Sequence, residues 1–174
     1  MKVSIETILD TGPLVAWLCQ ADQHHAWCSR IFSKLPLPVV TCESVIAEAA
    51  HRLRKYGSGV ESLCQLLESG ELKIETIADL PAAASFMRKY ETDFADASVV
   101  WLSEQHPRAK VFTVDFKDFT VYRRFKNQMI PLVEVDPENW TGRIVDRNSK
   151  KRSTCPRREE CTVRSSRPAL RLKS

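Results

Sequence analysis

The fold is decided by one stretch near the start of the chain, Val3-Ser4-Ile5-Glu6-Thr7-Ile8-Leu9-Asp10-Thr11-Gly12-Pro13. Residues 3–9 predict a β-strand, and the glycine and proline that follow end it. Pro13 favours the first turn of a helix, which we expect to run to Leu18. A strand followed at once by a helix is the first half of a βαβ unit, so the stretch predicts a parallel sheet.

Strands and helices keep alternating along the chain. Further strands are predicted at 38–41, 72–77, 110–115 and 130–135, and further helices at 22–35, 43–56, 60–67, 81–90 and 93–105. The predicted helix boundaries are N-caps at Asp22, Thr41 and Asp93 and C-terminal stops at Gly57, Gly59 and Gly70. The pattern predicts an α/β protein with three α/β/α layers and a central, mainly parallel sheet.

Charge divides the chain into two parts. The whole chain carries a net charge of +4, but residues 142–174 alone hold eleven Lys or Arg and three acids. Residues 1–141 are therefore predicted to form one acidic domain, and 142–174 a basic C-terminal tail that is disordered. A nucleic-acid-binding arm and a plain solvated extension both remain open for the tail.

Nothing in the sequence predicts a membrane or export signal. The apolar runs are too short to span a bilayer, and the first residues do not lead into the apolar stretch of a signal peptide. The six cysteines are scattered without a C-x-x-C pair. We therefore expect a cytoplasmic protein with reduced cysteines and no membrane partner.

Two acids stand where predicted strands end. Asp10 follows the first strand and Asp115 closes the strand at 110–115, with Thr113 expected on the same face. The carboxyl ends of parallel strands share one crevice, where several carboxylates would repel each other. A hard cation such as Mg²⁺ or Mn²⁺ relieves that repulsion and can neutralise the negative charge of a phosphodiester. The acids therefore predict a metal site and a polyanionic substrate.

Three more acids lie on predicted helices. Asp93 and Asp96 are one turn apart at a helix start, and Glu48 lies on the polar side of its helix. Each also has a structural explanation, because acids complement a helix N-terminus and Glu48 can pair with Arg52 four residues on.

Five segments, in this order, resemble the PIN-domain nucleases, and in particular the VapC-type toxins of bacterial toxin–antitoxin pairs. The segments are Ile8-Leu9-Asp10-Thr11-Gly12-Pro13-Leu14-Val15-Ala16, Asp22-Gln23-His24-His25, Val45-Ile46-Ala47-Glu48-Ala49, Asp93-Phe94-Ala95-Asp96-Ala97-Ser98 and Thr113-Val114-Asp115-Phe116-Lys117-Asp118-Phe119. The resemblance covers about 3–135. It implies a Mg²⁺- or Mn²⁺-dependent endoribonuclease of α/β/α fold, a homodimer, and an antitoxin protein that occupies the acidic cleft.

The resemblance also implies roles for individual residues. By position, the catalytic and metal-binding acids are Asp10, Glu48, Asp96 and Asp115, with Asp93 as a further metal ligand and Thr11 and Thr113 as hydroxyls that support the metal site. Arg52, on the helix that carries Glu48, is expected to steer RNA phosphates, although a solvated face explains it equally well.

Two alternative functions stay open. One is a catalytically silent PIN-fold module that holds RNA or a protein partner. The other is a phosphotransfer enzyme with a strand-end aspartate nucleophile, which usually requires a second aspartate two residues on. Gly12 stands at that place, so the sequence favours the ribonuclease.

Overall fold

The structure is a computed structural model that describes residues 5–133. The predicted tail at 142–174 and the domain boundary at 141 lie outside the described residues. Within 5–133 the strands are β1 (Thr7–Leu9), β2 (Val39–Thr41), β3 (Leu72–Ile74), β4 (Lys110–Phe112), β5 (Arg123–Arg124) and β6 (Gln128–Met129). The helices of the same region are α1 (Thr11–Leu18), α2 (His25–Phe32), α3 (Glu43–Leu53), α4 (Gly59–Ser69), α5 (Leu80–Tyr90), α6 (Phe94–Gln105) and α7 (Phe116–Val121).

Four short parallel strands form the central sheet, in the order β3-β2-β1-β4. On β1, Ile8 lies opposite Val40 of β2 on one side and Val111 of β4 on the other. Every residue of β1 is buried, as expected for a central strand with helices packed around the sheet. The predicted α/β fold with a central parallel sheet is confirmed.

Helix α6 lies deepest among the helices that surround the sheet. Eight of its residues are buried, from Ala95 to Ser103. A helix that is buried on most of its sides lies within the core rather than on the surface. Its first turn therefore carries Asp96 into a position where water has little access.

No helix of residues 5–133 combines the length and the apolar content needed to cross a membrane.

Two predicted N-caps are wrong. Asp22 does not cap α2: His24 occupies that position, and Asp22 Oδ1 accepts the backbone N–H of His24 at 2.8 Å. Thr41 is the last residue of β2, and its hydroxyl donates to the carbonyl of Leu9 at 2.8 Å, which ties β2 to β1. The N-cap of α3 is Cys42, one residue later. In both cases the side chain bonds to a backbone group outside the helix that it was predicted to cap.

Glycines mark one helix end as predicted but not the other. Helix α3 ends at Leu53, and Gly59 begins α4 rather than ending α3. Gly70 does end α4, with φ of 74°, the left-handed conformation in which a residue without a Cβ is not strained.

The end of the described chain differs most from the prediction. The strand predicted at 130–135 is reduced to a single bridge between Val111 and Leu132, next to β4. Positions 134 and 135 lie outside the described residues. Helix α7 and the antiparallel hairpin of β5 and β6 were not predicted. The turn of that hairpin places Phe125 and Lys126 at positive φ without the glycine that usually signals such a turn.

Candidate metal centre

Asp10 joins the end of β1 to the start of α1. It is the N-cap of α1, and its Oδ1 accepts the backbone N–H of Thr11 at 2.6 Å. Its Oδ2 accepts the hydroxyl of Thr113 at 2.8 Å. The residue is only 6% exposed. The strand end and the helix start together therefore fix a buried carboxylate in one orientation.

Gly12 allows this arrangement to be compact. A Cβ on residue 12 would lie 2.3 Å from Cγ2 of Val114. A Cβ at this position would force Val114 to move, so glycine at residue 12 allows the first turn of α1 to approach the segment after β4 closely.

Thr113 connects Asp10 to Asp115, but not through strand alternation. Strand β4 ends at Phe112, so the expectation that Thr113 and Asp115 share a strand face is wrong. The Thr113 hydroxyl instead accepts the backbone N–H of Asp115 at 2.9 Å within a turn. Asp115 is half-buried and caps α7, with its Oδ1 accepting the N–H of Asp118 at 3.3 Å. One hydroxyl thus links two of the predicted acids.

Glu48 is held by two partners from different elements. Its Oε2 accepts the hydroxyl of Thr11 at 2.9 Å, and its Oε1 pairs with Nη2 of Arg52 at 2.5 Å. The i,i+4 pairing with Arg52, which explains Glu48 structurally, is therefore present together with the contact that brings Glu48 to the end of β1.

Asp96 is 8% exposed and is held by two hydroxyls that the sequence analysis missed. Its Oδ2 accepts the hydroxyl of Thr92 at 2.7 Å and that of Tyr122 at 3.0 Å. Burial raises the pKa of the Tyr122 phenol, so the phenol stays a hydrogen-bond donor at neutral pH. Thr92 directly precedes the segment that carries Asp93 and Asp96, so its position in the sequence is a local signal. No local sequence pattern predicts that Tyr122 contacts Asp96.

Asp93 has the capping role that its position predicted. It is exposed, it is the N-cap of α6, and its Oδ1 accepts the backbone N–H of Asp96 at 2.9 Å. The cap fixes the first turn of α6 and with it the main chain of Asp96. Its expected role as a metal ligand stays a prediction.

The site holds more negative charge than its surroundings compensate. Burial, as the largest cause, and the charges of Asp96 and Glu48 together raise the pKa of Asp10 from 3.8 to about 7. The hydrogen bonds from Thr113 and Thr11 oppose that rise but do not cancel it. Asp96 and Glu48 therefore each lie close enough to Asp10 to repel its charge.

The donor chemistry of this site fits a hard divalent cation. Carboxylate oxygens are among the ligands that Mg²⁺ and Mn²⁺ prefer, and a cation would relieve the repulsion at Asp10. Within residues 5–133, no three His, Cys, Asp or Glu side chains are gathered closely enough to form a metal-binding group. Cation binding would therefore recruit carboxylates that now accept hydrogen bonds from the protein.

Comparisons with known proteins agree with this architecture. No curated protein sequence matches the chain. Among solved structures, VapC20 of Mycobacterium tuberculosis, described as a sarcin-ricin loop cleaving toxin, is 18% identical with a TM-score of 0.54, over 64% of this chain and 93% of that one. A toxin–antitoxin complex from Klebsiella pneumoniae is 16% identical with a TM-score of 0.51, over 66% of this chain and 90% of that one. At such identities the likeness shows the fold.

The family itself follows from the sequence. The family model described as PIN domain matches residues 7–124, which run from the first residue of β1 to the last residue of β5. This span contains every acid of the candidate site, as well as Thr92 and Tyr122. The chain belongs to the PIN domain family.

Proposed function

We propose that this protein is a divalent-cation-dependent endoribonuclease that hydrolyses RNA phosphodiesters. The observation that carries the proposal is the buried Asp10, whose pKa rises to about 7 through burial and the charges of Asp96 and Glu48. Keeping such a group ionised at neutral pH costs free energy that a bound cation would offset. Sites with this property are concentrated where proteins carry out chemistry.

Four acids of the site would hold Mg²⁺ or Mn²⁺: Asp10, Glu48, Asp96 and Asp115. Asp93, exposed at the start of α6, would be an accessory ligand. When bound, the cation neutralises charge on the phosphodiester and lowers the pKa of an attacking water. An acidic site that binds cations in this way is compatible with an anionic substrate.

The remaining polar residues position these acids. Thr11 donates its hydroxyl to Glu48 and its N–H to Asp10, so it sets the two carboxylates relative to each other. The Thr113 hydroxyl donates to Asp10 and accepts the backbone N–H of Asp115, so it sets these two residues relative to each other. The side chain of Arg52 is 48% exposed beside Glu48, where its guanidinium can meet an RNA phosphate at the edge of the site.

A role as a toxin fits the same site. The two structural neighbours are described as a toxin and as a toxin–antitoxin complex. We therefore propose that a cognate antitoxin protein silences this nuclease by covering its acidic cleft. The homodimer and the cytoplasmic location stay predictions from the sequence.

The test is cleavage of RNA by the full chain in Mg²⁺ or Mn²⁺, with and without EDTA. Asp115→Asn changes one atom and keeps an oxygen that can cap α7. We expect this variant to fold and to lose at least 100-fold in activity, because it removes a negative charge from the site. Asp79→Asn, at an exposed N-cap on α5, is the matched control and should cleave like the wild type. Wild-type protein that leaves RNA intact in both metals would refute the proposal.

The second candidate is a silent PIN-fold module that binds RNA or a protein. It is favoured by the internal hydrogen bonds that already engage Asp10, Glu48 and Asp96. The same experiment distinguishes the two, since a silent module would retain RNA on a filter without shortening it. Asp115→Asn would then leave RNA binding unchanged.

A further inference from the structure

Three oxygen atoms beside the first turn of α6 form a closed triangle. The Asp96 Oδ2 lies 2.7 Å from the Thr92 hydroxyl and 3.0 Å from the Tyr122 hydroxyl. The two hydroxyls are themselves 2.8 Å apart. We call this set, Thr92, Asp96 and Tyr122, the hydroxyl triangle.

The number of hydrogens in the hydroxyl triangle requires that an ionised Asp96 carboxylate accepts a hydrogen bond. The two hydroxyls supply two hydrogens for three short contacts. The carboxylate is the strongest acceptor and has no hydrogen to give, so in each sensible arrangement Oδ2 accepts at least one of them. A charge-assisted bond of this kind fixes the rotation of the carboxylate. The main chain of Asp96 is fixed as well, because its N–H donates to Asp93.

The Tyr122 hydroxyl is itself rigidly placed. Tyr122 is 4% exposed, and its ring makes edge-to-face contacts with Phe86, Tyr90 and Phe119, each with ring centroids 5.2 Å apart. Such packing holds the ring in one orientation. The hydroxyl therefore reaches Asp96 from a fixed point, not from a mobile surface side chain.

Helix α7 connects this point to another acid of the site. Asp115 is the N-cap of α7 and Tyr122 is its C-cap. The bond from Tyr122 to Asp96 consequently ties the helix that begins at Asp115 to the first turn of α6. It sets the spacing between two of the proposed ligands.

We propose that Thr92 and Tyr122 are positioning residues that hold Asp96 Oδ2 and so orient its carboxylate for the cation. This inference rests on the proposed function, because it assigns the two hydroxyls a role at the same site. Neither side chain belongs to the acids or hydroxyls that the resemblance singled out. Outer residues that orient a ligand typically change metal affinity or activity by about 10- to 100-fold when replaced.

Two substitutions remove one hydroxyl each from the full chain. Tyr122→Phe keeps the ring and its aromatic contacts, and Thr92→Val keeps a similar shape. Calorimetry with Mn²⁺ measures cation affinity without turnover, and RNA cleavage separates kcat from KM. We expect both variants to bind Mn²⁺ about 10- to 100-fold more weakly and to lose kcat by a similar factor, with KM for RNA unchanged.

The controls separate positioning from general damage. Tyr90→Phe removes a hydroxyl from the same aromatic cluster but outside the hydroxyl triangle, and it should match the wild type. Thr92→Ser keeps the donor and should recover Mn²⁺ affinity to within about threefold of the wild type. Urea unfolding of each variant tests whether it is folded under the conditions of the measurement. If Tyr122→Phe does not fold, Thr92→Val and its Thr92→Ser rescue carry the test, since Thr92 lies outside the aromatic cluster.

The outcomes distinguish this inference from the proposed function. Wild-type affinity and kcat in Tyr122→Phe and Thr92→Val would overturn the positioning role and leave the nuclease standing. An increase in KM with unchanged Mn²⁺ affinity would also overturn it, because the hydroxyls would then act on RNA. Wild-type protein that neither binds Mn²⁺ nor cleaves RNA would overturn the proposed function, and this inference with it.

Discussion

Replacing Asp10 by asparagine should stabilise the folded protein at neutral and alkaline pH. Burial first, and then the charges of Asp96 and Glu48, raise the pKa of Asp10 from 3.8 to about 7. Between these two values the folded chain binds a proton that the unfolded chain has lost. The contribution of Asp10 to stability is therefore highest below pH 3.8 and falls as the pH rises towards 7. Asparagine cannot ionise, so the Asp10→Asn variant does not lose this stability as the pH rises.

The size of the effect follows from the two pKa values. The difference between 3.8 and about 7 corresponds to about 4 kcal/mol of lost stability at pH 8 and to about 2 kcal/mol at pH 5. Asparagine offers one oxygen where aspartate uses two, so one hydrogen bond, from Thr11 or from Thr113, is lost at a cost of about 1 kcal/mol. The variant should be more stable than the wild type by about 3 kcal/mol at pH 8 and by about 1 kcal/mol at pH 5.

Urea unfolding of the full chain in EDTA, followed by tryptophan fluorescence, measures this difference. Asp79→Asn is the control, because Asp79 is exposed and lies at the N-cap of α5. Its effect should be small and equal at both pH values. A stability difference between Asp10→Asn and the wild type that stays constant from pH 5 to pH 8 would refute the reasoning. Adding Mg²⁺ at pH 8 should stabilise the wild type more than the variant.

Three further substitutions test other contacts. Gly12→Ala places a Cβ 2.3 Å from Cγ2 of Val114, so we expect a loss of about 1–3 kcal/mol in urea unfolding together with reduced RNA cleavage. Unchanged stability would show that the segment after β4 moves to accommodate the new Cβ without a cost in free energy. Arg124→Met removes hydrogen bonds to the carbonyls of Ser103, in the last turn of α6, and Pro107, just beyond the helix, and should cost about 2–4 kcal/mol, whereas a change below about 0.5 kcal/mol would contradict a role in holding this helix end. Arg52→Ala breaks a partly exposed pair with Glu48 and should change stability by less than about 1 kcal/mol, while the salt slope of RNA binding falls by about 1 if the guanidinium meets a phosphate.

Local sequence patterns predicted the parts of the fold that depend on neighbouring residues. The stretch that ends in Pro13 correctly predicts β1 followed by α1, because proline fixes its own φ at a value that suits the first turn of a helix. Gly70 ends α4 and Asp93 caps α6 for equally local reasons. The acid after β1 was also recognised from its position alone.

Contacts between distant residues could not be predicted in this way. Tyr122 reaches Asp96 from 26 residues away, and Arg124 bonds to the last turn of α6 from the hairpin that follows α7. Periodicity records which face of an element is apolar, but it does not record which polar partner a folded chain brings there. The misplaced cap at Thr41 has the same origin, since its hydroxyl bonds to the neighbouring strand instead of to its own helix.

The site requires the pairing of β1 with β4, and this requirement limits the stage of protein synthesis at which the site can form. The hydrogen bond from Thr113 to Asp10 joins residues 103 positions apart, and the chain between them supplies Glu48, Asp93 and Asp96, while Asp115 follows Thr113. A chain emerging from a ribosome presents Asp10 early, but it lacks Thr113 and Asp115 until β4 has been synthesised. Long-range parallel pairing of this kind forms late and slowly. The acidic site can therefore be completed only near the end of domain synthesis, and a nascent chain that stops before β4 carries no complete site.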